Sequence, residues 1–266
     1  VKIVFVGDIV GEAGRDMLRD FLPKIKEKYK IDVALVNVEN MAGGFGVTPH
    51  TIQEAYQCGA HLLSGGNHSF DKKEGIPAME DDPYIVRPAN YPEGTPGRGW
   101  ATYSLPGGIK IALINLMGRV FMDALDCPFH KVDELIEEIK KITPNIVVDM
   151  HAEATSEKVA MGWHLNGRVS AMVGTHTHIQ TADERVLDGG TAYISDLGMT
   201  GPYDSVIGVK KEIVLEKFIT KRGRRFETAS GDPWLCGVII DIDESTGKSR
   251  SIERIRIERK DSSTHP

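Results

Sequence analysis

Gly65-Gly66-Asn67-His68 follows the apolar run His61-Leu62-Leu63 and precedes the polar stretch Ser69-Phe70-Asp71-Lys72-Lys73. An amide and an imidazole side by side on a glycine turn are poor material for a core, but they suit the holding of a cation and the movement of a proton. The pattern recurs: other apolar runs end at Asp8, at Glu39-Asn40, at His151, and at His176 and His178. Carboxylate, amide and imidazole without thiolate fit manganese, iron, cobalt or zinc better than magnesium or calcium, which prefer all-oxygen shells. The donors are too many for one ion. Two ions about 3.5–4 Å apart, bridged by a carboxylate and a hydroxide, would use them all, clamp a phosphoryl oxygen and lower the pKa of the attacking water. Glu39 is the candidate bridge. In His176-x-His178, strand alternation on an extended segment would send both rings to one side.

For such residues to meet, each must sit beyond the carboxyl end of a strand in an α/β sheet, where ligands bind. Lys2 to Val6, closed by Gly7-Asp8, reads as a buried strand, and Glu12 to Tyr29 carries the 3.6-residue spacing of a helix that Pro23 is placed to bend. Asp32 to Val38 is the next strand and delivers Glu39-Asn40 into a glycine-rich loop, after which Thr48-Pro49 caps a helix through Gln57. This β-α-β-α-β order up to Asn67 predicts a parallel sheet with helices on its faces. The proline- and glycine-rich residues 84–108 read as short strands and turns, an edge excursion without a domain boundary. Strands then resume at 108–115, at 145–150 before His151, at 169–174 before His176, and at 192–195 before Asp196. Helices are expected at Val132 to Ile142 and Ser156 to Leu165. Cys236 to Asp243 and the alternating Ile252 to Ile257 form an antiparallel hairpin with one wet face.

The 266 residues, 41% hydrophobic and 26% charged, are read as one α/β domain over 1–266. A formal charge of -6 argues against a surface built wholly for nucleic acid. No apolar run approaches the roughly 20 residues that span a bilayer, and the N-terminus enters a strand directly, so a cytoplasmic protein without membrane contact is expected. Cys58, Cys127 and Cys236 show no metal or disulfide spacing and are expected to be small buried hydrophobes. Gly7, Gly11 and Gly14 miss the dinucleotide-binding spacing.

The order Gly7-Asp8, Glu39-Asn40, Gly66-Asn67-His68, His151 and Gly174-x-His176-x-His178 resembles the calcineurin-like metallophosphoesterase superfamily. Glutamate in the second motif, with Gly-Gly-Asn-His-Ser-Phe in the third, is similar to the YmdB group of bacterial phosphodiesterases. The resemblance covers nearly the whole chain. It implies an α/β sheet sandwich flanked by helices, with the hairpin at its C-terminal end. Asp8, Glu39 and His178 would hold one metal, and Glu39, Asn67, His151 and His176 the other. Asn40 would contact the substrate phosphate, and His68 would be the proton donor to the leaving group or stabilise the charge developing on it. Iron or manganese is the implied pair, with zinc or cobalt as alternatives. The implied substrates are 2',3'-cyclic and 3',5'-cyclic nucleotides, opened by a metal-bridged hydroxide. A metallophosphatase or nuclease on another ester, or a sensor of nucleotide or RNA with little turnover, is the alternative. A homo-oligomer is the expected assembly.

Asp149 and Glu153 flank His151 but point away on an alternating strand, so they are read as supporting residues, and Asp196 is a candidate to orient a ligand imidazole. Phe45 in the glycine loop is a candidate to stack on a nucleobase, and Lys221-Arg222-Gly223-Arg224-Arg225 a candidate guide for RNA. His50, His61, His130, His164 and His265 receive no role.

Overall fold

The computed structural model describes residues 1–259; His265 lies outside them. The chain builds one sheet, crosses to a second, and returns to the first. The opening part is β1 (Lys2–Val6), α1 (Gly11–Tyr29), β2 (Val33–Asn37), α2 (Pro49–Gln57), β3 (Leu62–Ser64), α3 (Gly75–Asp81) and β4 (Ile85–Val86). The middle part is β5 (Trp100–Ser104), β6 (Lys110–Met117), α4 (Pro128–Ile139), β7 (Ile146–His151), α5 (Thr155–Leu165), β8 (Ala171–Thr175), β9 (Arg185–Val186) and β10 (Ala192–Ile194). The closing part is β11 (Gly201–Pro202), α6 (Lys211–Thr220), β12 (Pro233–Ile242) and β13 (Ser249–Glu258).

The first sheet runs β11-β12-β1-β2-β3-β4, with β13 paired to β12, and the second runs β5-β6-β7-β8-β10-β9. Each is parallel through its middle, β1 to β4 in one and β6, β7, β8 and β10 in the other, with antiparallel strands beside them. Strand alternation explains how they stack. Ile3 and Phe5 of β1 face Leu113 of β6, Val147 of β7 and Val173 of β8 in the core between the sheets. Val4 and Val6 face the other way, onto Met17, Leu18 and Leu22 of α1. Ala112, Ile114 and Leu116 face Val132 and Ile136 of α4 and Met161 of α5. The fold is therefore a sheet sandwich flanked by helices, as expected, and β12–β13 is the expected hairpin.

Local signals account for most boundaries. Thr48 caps α2, its hydroxyl accepting from Thr51 N while the Thr51 hydroxyl accepts from Thr48 N. α1 continues through Pro23. α4 begins at Pro128 rather than Val132, because proline lacks only an N–H that the first helical turn leaves free. The proline-rich 84–108 segment carries the chain from β4, at the edge of one sheet, to β5, at the edge of the other. Cys58 and Cys236 are buried as expected, whereas Cys127 at the N-cap of α4 is partly exposed. Among the described residues no helix is long and apolar enough to cross a membrane.

Candidate active site

The eight residues converge where the carboxyl ends of both parallel runs meet. The first sheet supplies Asp8 after β1, Glu39 and Asn40 after β2, and Asn67 and His68 after β3. The second supplies His151, the last residue of β7, with His176 and His178 after β8. Glu39 Oε1 lies 3.0 Å from Asn40 Nδ2 and 3.3 Å from His151 Nε2. His151 Nε2 is also 2.8 Å from Asn67 Oδ1 and 3.1 Å from His176 Nδ1. Beyond Asn40, His178 Nε2 stands 3.3 Å from Asn40 Nδ2 and 3.9 Å from Asp8 Oδ2. A Cβ on Gly66 would fall 2.1 Å from Glu39 Oε2 and 2.5 Å from His151 Nε2, so only glycine lets the turn approach so closely. Ser69 closes that turn, its hydroxyl accepting from Gly66 N and donating to Gly66 O.

Hydrogen-bond direction settles how the rings face. Thr175 gives its only hydroxyl proton to Asp149 Oδ1 at 2.6 Å, so it accepts from His151 Nδ1 at 2.9 Å. His178 Nδ1 donates to the Ile207 carbonyl at 2.8 Å, and His176 Nε2 donates to Glu153 at 3.1 Å. In the neutral form of each ring the remaining nitrogen turns its lone pair into the cluster, the arrangement that outer-shell partners impose on metal-ligating histidines.

Electrostatics point the same way. Burial opposes charge on His151, yet Glu39, Asp8 and Asp149 outweigh it and hold the ring's pKa up to about 9. Burial, reinforced by His151, pushes His176 down to about 3, and burial also lowers His178. Burial raises Asp8 well above the ordinary carboxyl range, with His151 opposing, and leaves its Oδ1 without a hydrogen-bond partner. Glu39 is lowered, because His151 and His68 outweigh its burial. A proton on His151 Nε2 thus sits among Glu39, Asn67 and His176 acceptors. Acceptors crowded round one proton, beside a buried orphan carboxylate oxygen, are chemically suited to a cation, and the donor set fits the metals expected of it.

His68 borders the cluster differently. Its backbone N–H donates to Glu39 Oε2 at 3.1 Å, its Nδ1 lies 2.7 Å from Asp71 Oδ2, and Phe45 packs against its ring at 5.0 Å and 67°. Asp71 therefore fixes the ring and leaves Nε2 free. Its signal in the sequence was the spacing of three residues from His68. Glu39, Asn40, His176 and His178 of the cluster, with His68, line a cavity of about 240 Å³. Residues 207–209 and 226–228 also line it, in a strap tied together where Lys210 N donates to Glu227 O and Ala229 N to Gly208 O. Nothing periodic in the sequence marked that strap.

Three expectations change. His176 and His178 lie past the end of β8 with φ of 94° and 65°, so left-handed turns and not strand alternation bring both rings inward. Asp196 hydrogen-bonds to no imidazole. It accepts from Thr177 N at 3.1 Å and Thr177 Oγ1 at 2.6 Å, and pairs with buried Lys158 at 2.6 Å, holding the turn between the two histidines. Glu153 is not turned away, because the chain has left β7 by that point and the side chain reaches His176. Asp149 supports the site, as expected, through Thr175, Ser64 and Asn37. In the basic cluster, Arg224 is paired with Glu216.

A sandwich that gathers these donors at the ends of its parallel strands is of the metallophosphoesterase class. The family model described as YmdB-like protein matches residues 4–255, and the chain belongs to that family. It is 52% identical over 257 residues to a Bacillus subtilis (strain 168) 2',3'-cyclic-nucleotide 2'-phosphodiesterase, covering 97% of each chain. Among solved structures it is similar to a hypothetical protein from Thermus thermophilus, with TM-score 0.91, 38% identity, and coverage of 97% of this chain and 99% of that one. It is also similar to a Mycoplasma pneumoniae phosphatase, with TM-score 0.92, 33% identity, and coverage of 97% and 93%. The chain is a metal-binding phosphodiesterase.

Proposed function

We propose that the chain is a single-domain, binuclear metal-dependent phosphodiesterase of the cytoplasm that hydrolyses small cyclic nucleotides, 2',3'-cyclic and 3',5'-cyclic. The observation that carries this reading is the inward orientation of three imidazoles toward two buried carboxylates, beside an acid–base candidate and a cavity. The 52% identity to a relative named for 2',3'-cyclic nucleotides supports the substrate class. Asp8, Glu39 and His178 would hold one ion, and Glu39, Asn67, His151 and His176 the other, with iron or manganese preferred over zinc or cobalt. The pair would supply Lewis-acid polarisation of the phosphoryl group and a more acidic water.

The chain's own residues do the rest. Asn40, anchored on Glu39, contacts a phosphoryl oxygen. Water attacks phosphorus in line with the departing ribose oxygen and gives up a proton to solvent, that P–O bond breaks, and His68 Nε2 delivers the proton the oxygen needs while Asp71 holds Nδ1. No covalent phospho-enzyme forms.

The test is turnover of 2',3'-cAMP and bis-p-nitrophenyl phosphate by protein stripped and reloaded with manganese or iron. Metal-dependent turnover that is lost in His68→Ala, with metal content unchanged, is the expected result. A trapped phospho-histidine at residue 68 would overturn the direct attack. Nucleotide binding with no turnover under any metal would replace an enzyme of cyclic nucleotides with a sensor of them.

A further inference from the structure

A phosphodiester group needs only the polar part of the cavity, yet much of the rest of its lining is apolar. Val10, Phe45, Ile207, Val209 and Phe226 line it. Pockets of this kind hold the apolar body of a ligand while a few polar groups fix its reacting end. At about 240 Å³ the space is below the roughly 300–1,000 Å³ usual for drug-sized ligands, which suits one base with its sugar rather than a longer chain.

The two rings are not equivalent. Phe45 is engaged with His68, edge against face at 5.0 Å, and so helps set the orientation of that imidazole. Phe226 has Lys217 Nζ over its ring, 4.6 Å from the centroid. A cation covers the ring, and the same ring lines the cavity. The strap that carries the ring is also held in place. Thr228, two residues on, donates to Gly43 O at 2.8 Å, and Lys210 N donates to Glu227 O at 2.9 Å. Thr228 fills the space that a Cβ on Gly44 or Gly11 would need, at 2.5 Å and 2.7 Å, so the strap sits tightly on the glycine loop.

We propose that Phe226 is the platform on which the substrate's nucleobase stacks, so that the site selects a base as well as a cyclic phosphate. The proposal rests on the phosphodiesterase reading above and names the specificity residue of the same site. Stacking on a phenyl face accepts any base, because every base has a π-face. Discrimination is therefore between cyclic nucleotides and cyclic diesters without a base.

The experiment compares metal-reloaded wild type, Phe226→Ala, Phe226→Leu and Phe226→Tyr on 2',3'-cAMP and on glycerol 1,2-cyclic phosphate. Loss of the ring is expected to raise KM for 2',3'-cAMP about tenfold or more, the order lost with one base–aromatic stack, with kcat nearly unchanged. Phe226→Tyr should stay near wild type, and every variant should act on glycerol cyclic phosphate as wild type does. The leucine variant keeps an apolar side chain in the strap should the alanine variant fail to fold. An unchanged KM for 2',3'-cAMP in both ring-less variants overturns the platform, as does an equal loss on both substrates. A wild type that turns over neither substrate sinks the phosphodiesterase reading instead. Calorimetric binding of adenosine 3'-monophosphate then tests the platform alone, with about tenfold weaker binding expected without the ring and equal binding refuting it.

Discussion

The two sheets bring different chemistry to the place where they meet. The first offers oxygens to the donor cluster, from Asp8, Glu39 and Asn67, and the second offers imidazoles, from His151, His176 and His178. Neither sheet alone holds a complete donor set, and the core packed between them, Phe5 against Val147 and Val173, is what brings the sets together. A cation bound there would tie one sheet to the other. It would bind the folded state and not the unfolded chain, so metal should raise stability as well as activity.

The comparison breaks most completely when one side loses its donor. Glu39→Gln removes the central carboxylate of the first sheet, and His151→Ala the buried ring of the second. Each should lower metal-dependent turnover on the order of a thousandfold, since a metal's charge stabilisation is worth several kcal/mol. Metal content by elemental analysis should fall in both, and the metal-induced rise in Tm should vanish. Either variant retaining two ions and full turnover would remove its residue from the ligand set.

Gly66→Ala leaves every donor in place and presses the two sheets' ligands apart. Its Cβ would meet Glu39 and His151 together, within 2.5 Å of both. A misplacement of about 1 Å at such a site costs on the order of a hundredfold, so turnover should drop by that much while circular dichroism stays native. Wild-type rates in this variant would mean that the turn yields.

Most of the first sheet's contribution is readable from the chain. An apolar run that stops at Asp8, or at Glu39-Asn40, announces a strand with a polar tip, and Thr48-Pro49 announces the next helix by cap chemistry. The division into two sheets is less legible, because a buried parallel strand reads as a continuous apolar run whichever neighbour it pairs with. The proline-rich 84–108 segment changes sheets without any motif that says so. The turn carrying His176 and His178 was missed for a related reason, since positive φ is set by contacts distant in sequence, Asp196 on Thr177 and Asp8 on the His176 N–H. Phe226 and Ile207 lie in irregular chain, where no periodicity ties them to the site.

A smaller effect sharpens the role of the second sheet's support. Thr175→Val keeps the shape of the side chain but removes the oxygen that orients His151 Nδ1 and links it to Asp149. Loss of such a partner costs about 10–100-fold in metal affinity. Competition with a chelator measures it. An unchanged affinity would show that packing alone aims the ring.

The smallest expected effect asks what occupies the junction when metal is removed. His151 then carries a proton, shared toward Glu39 and Asn67 on the first sheet, and its pKa of about 9 lies above the ordinary value of 6.5. A raised value means that the folded state holds the proton more tightly than the unfolded one. That stabilisation is complete below about pH 6.5 and is lost as the pH rises through about 9. His176 and His178, both lowered, are neutral across this window and do not offset the loss. Metal-stripped protein should therefore show a Tm that declines from pH 6.5 to 9, by about 2–4 °C for each kcal/mol lost in a chain of this size. Metal-loaded protein, with the same position on His151 taken by the cation, should lack that decline. Parallel profiles for the two forms would mean that proton and metal do not compete for the place where the sheets meet.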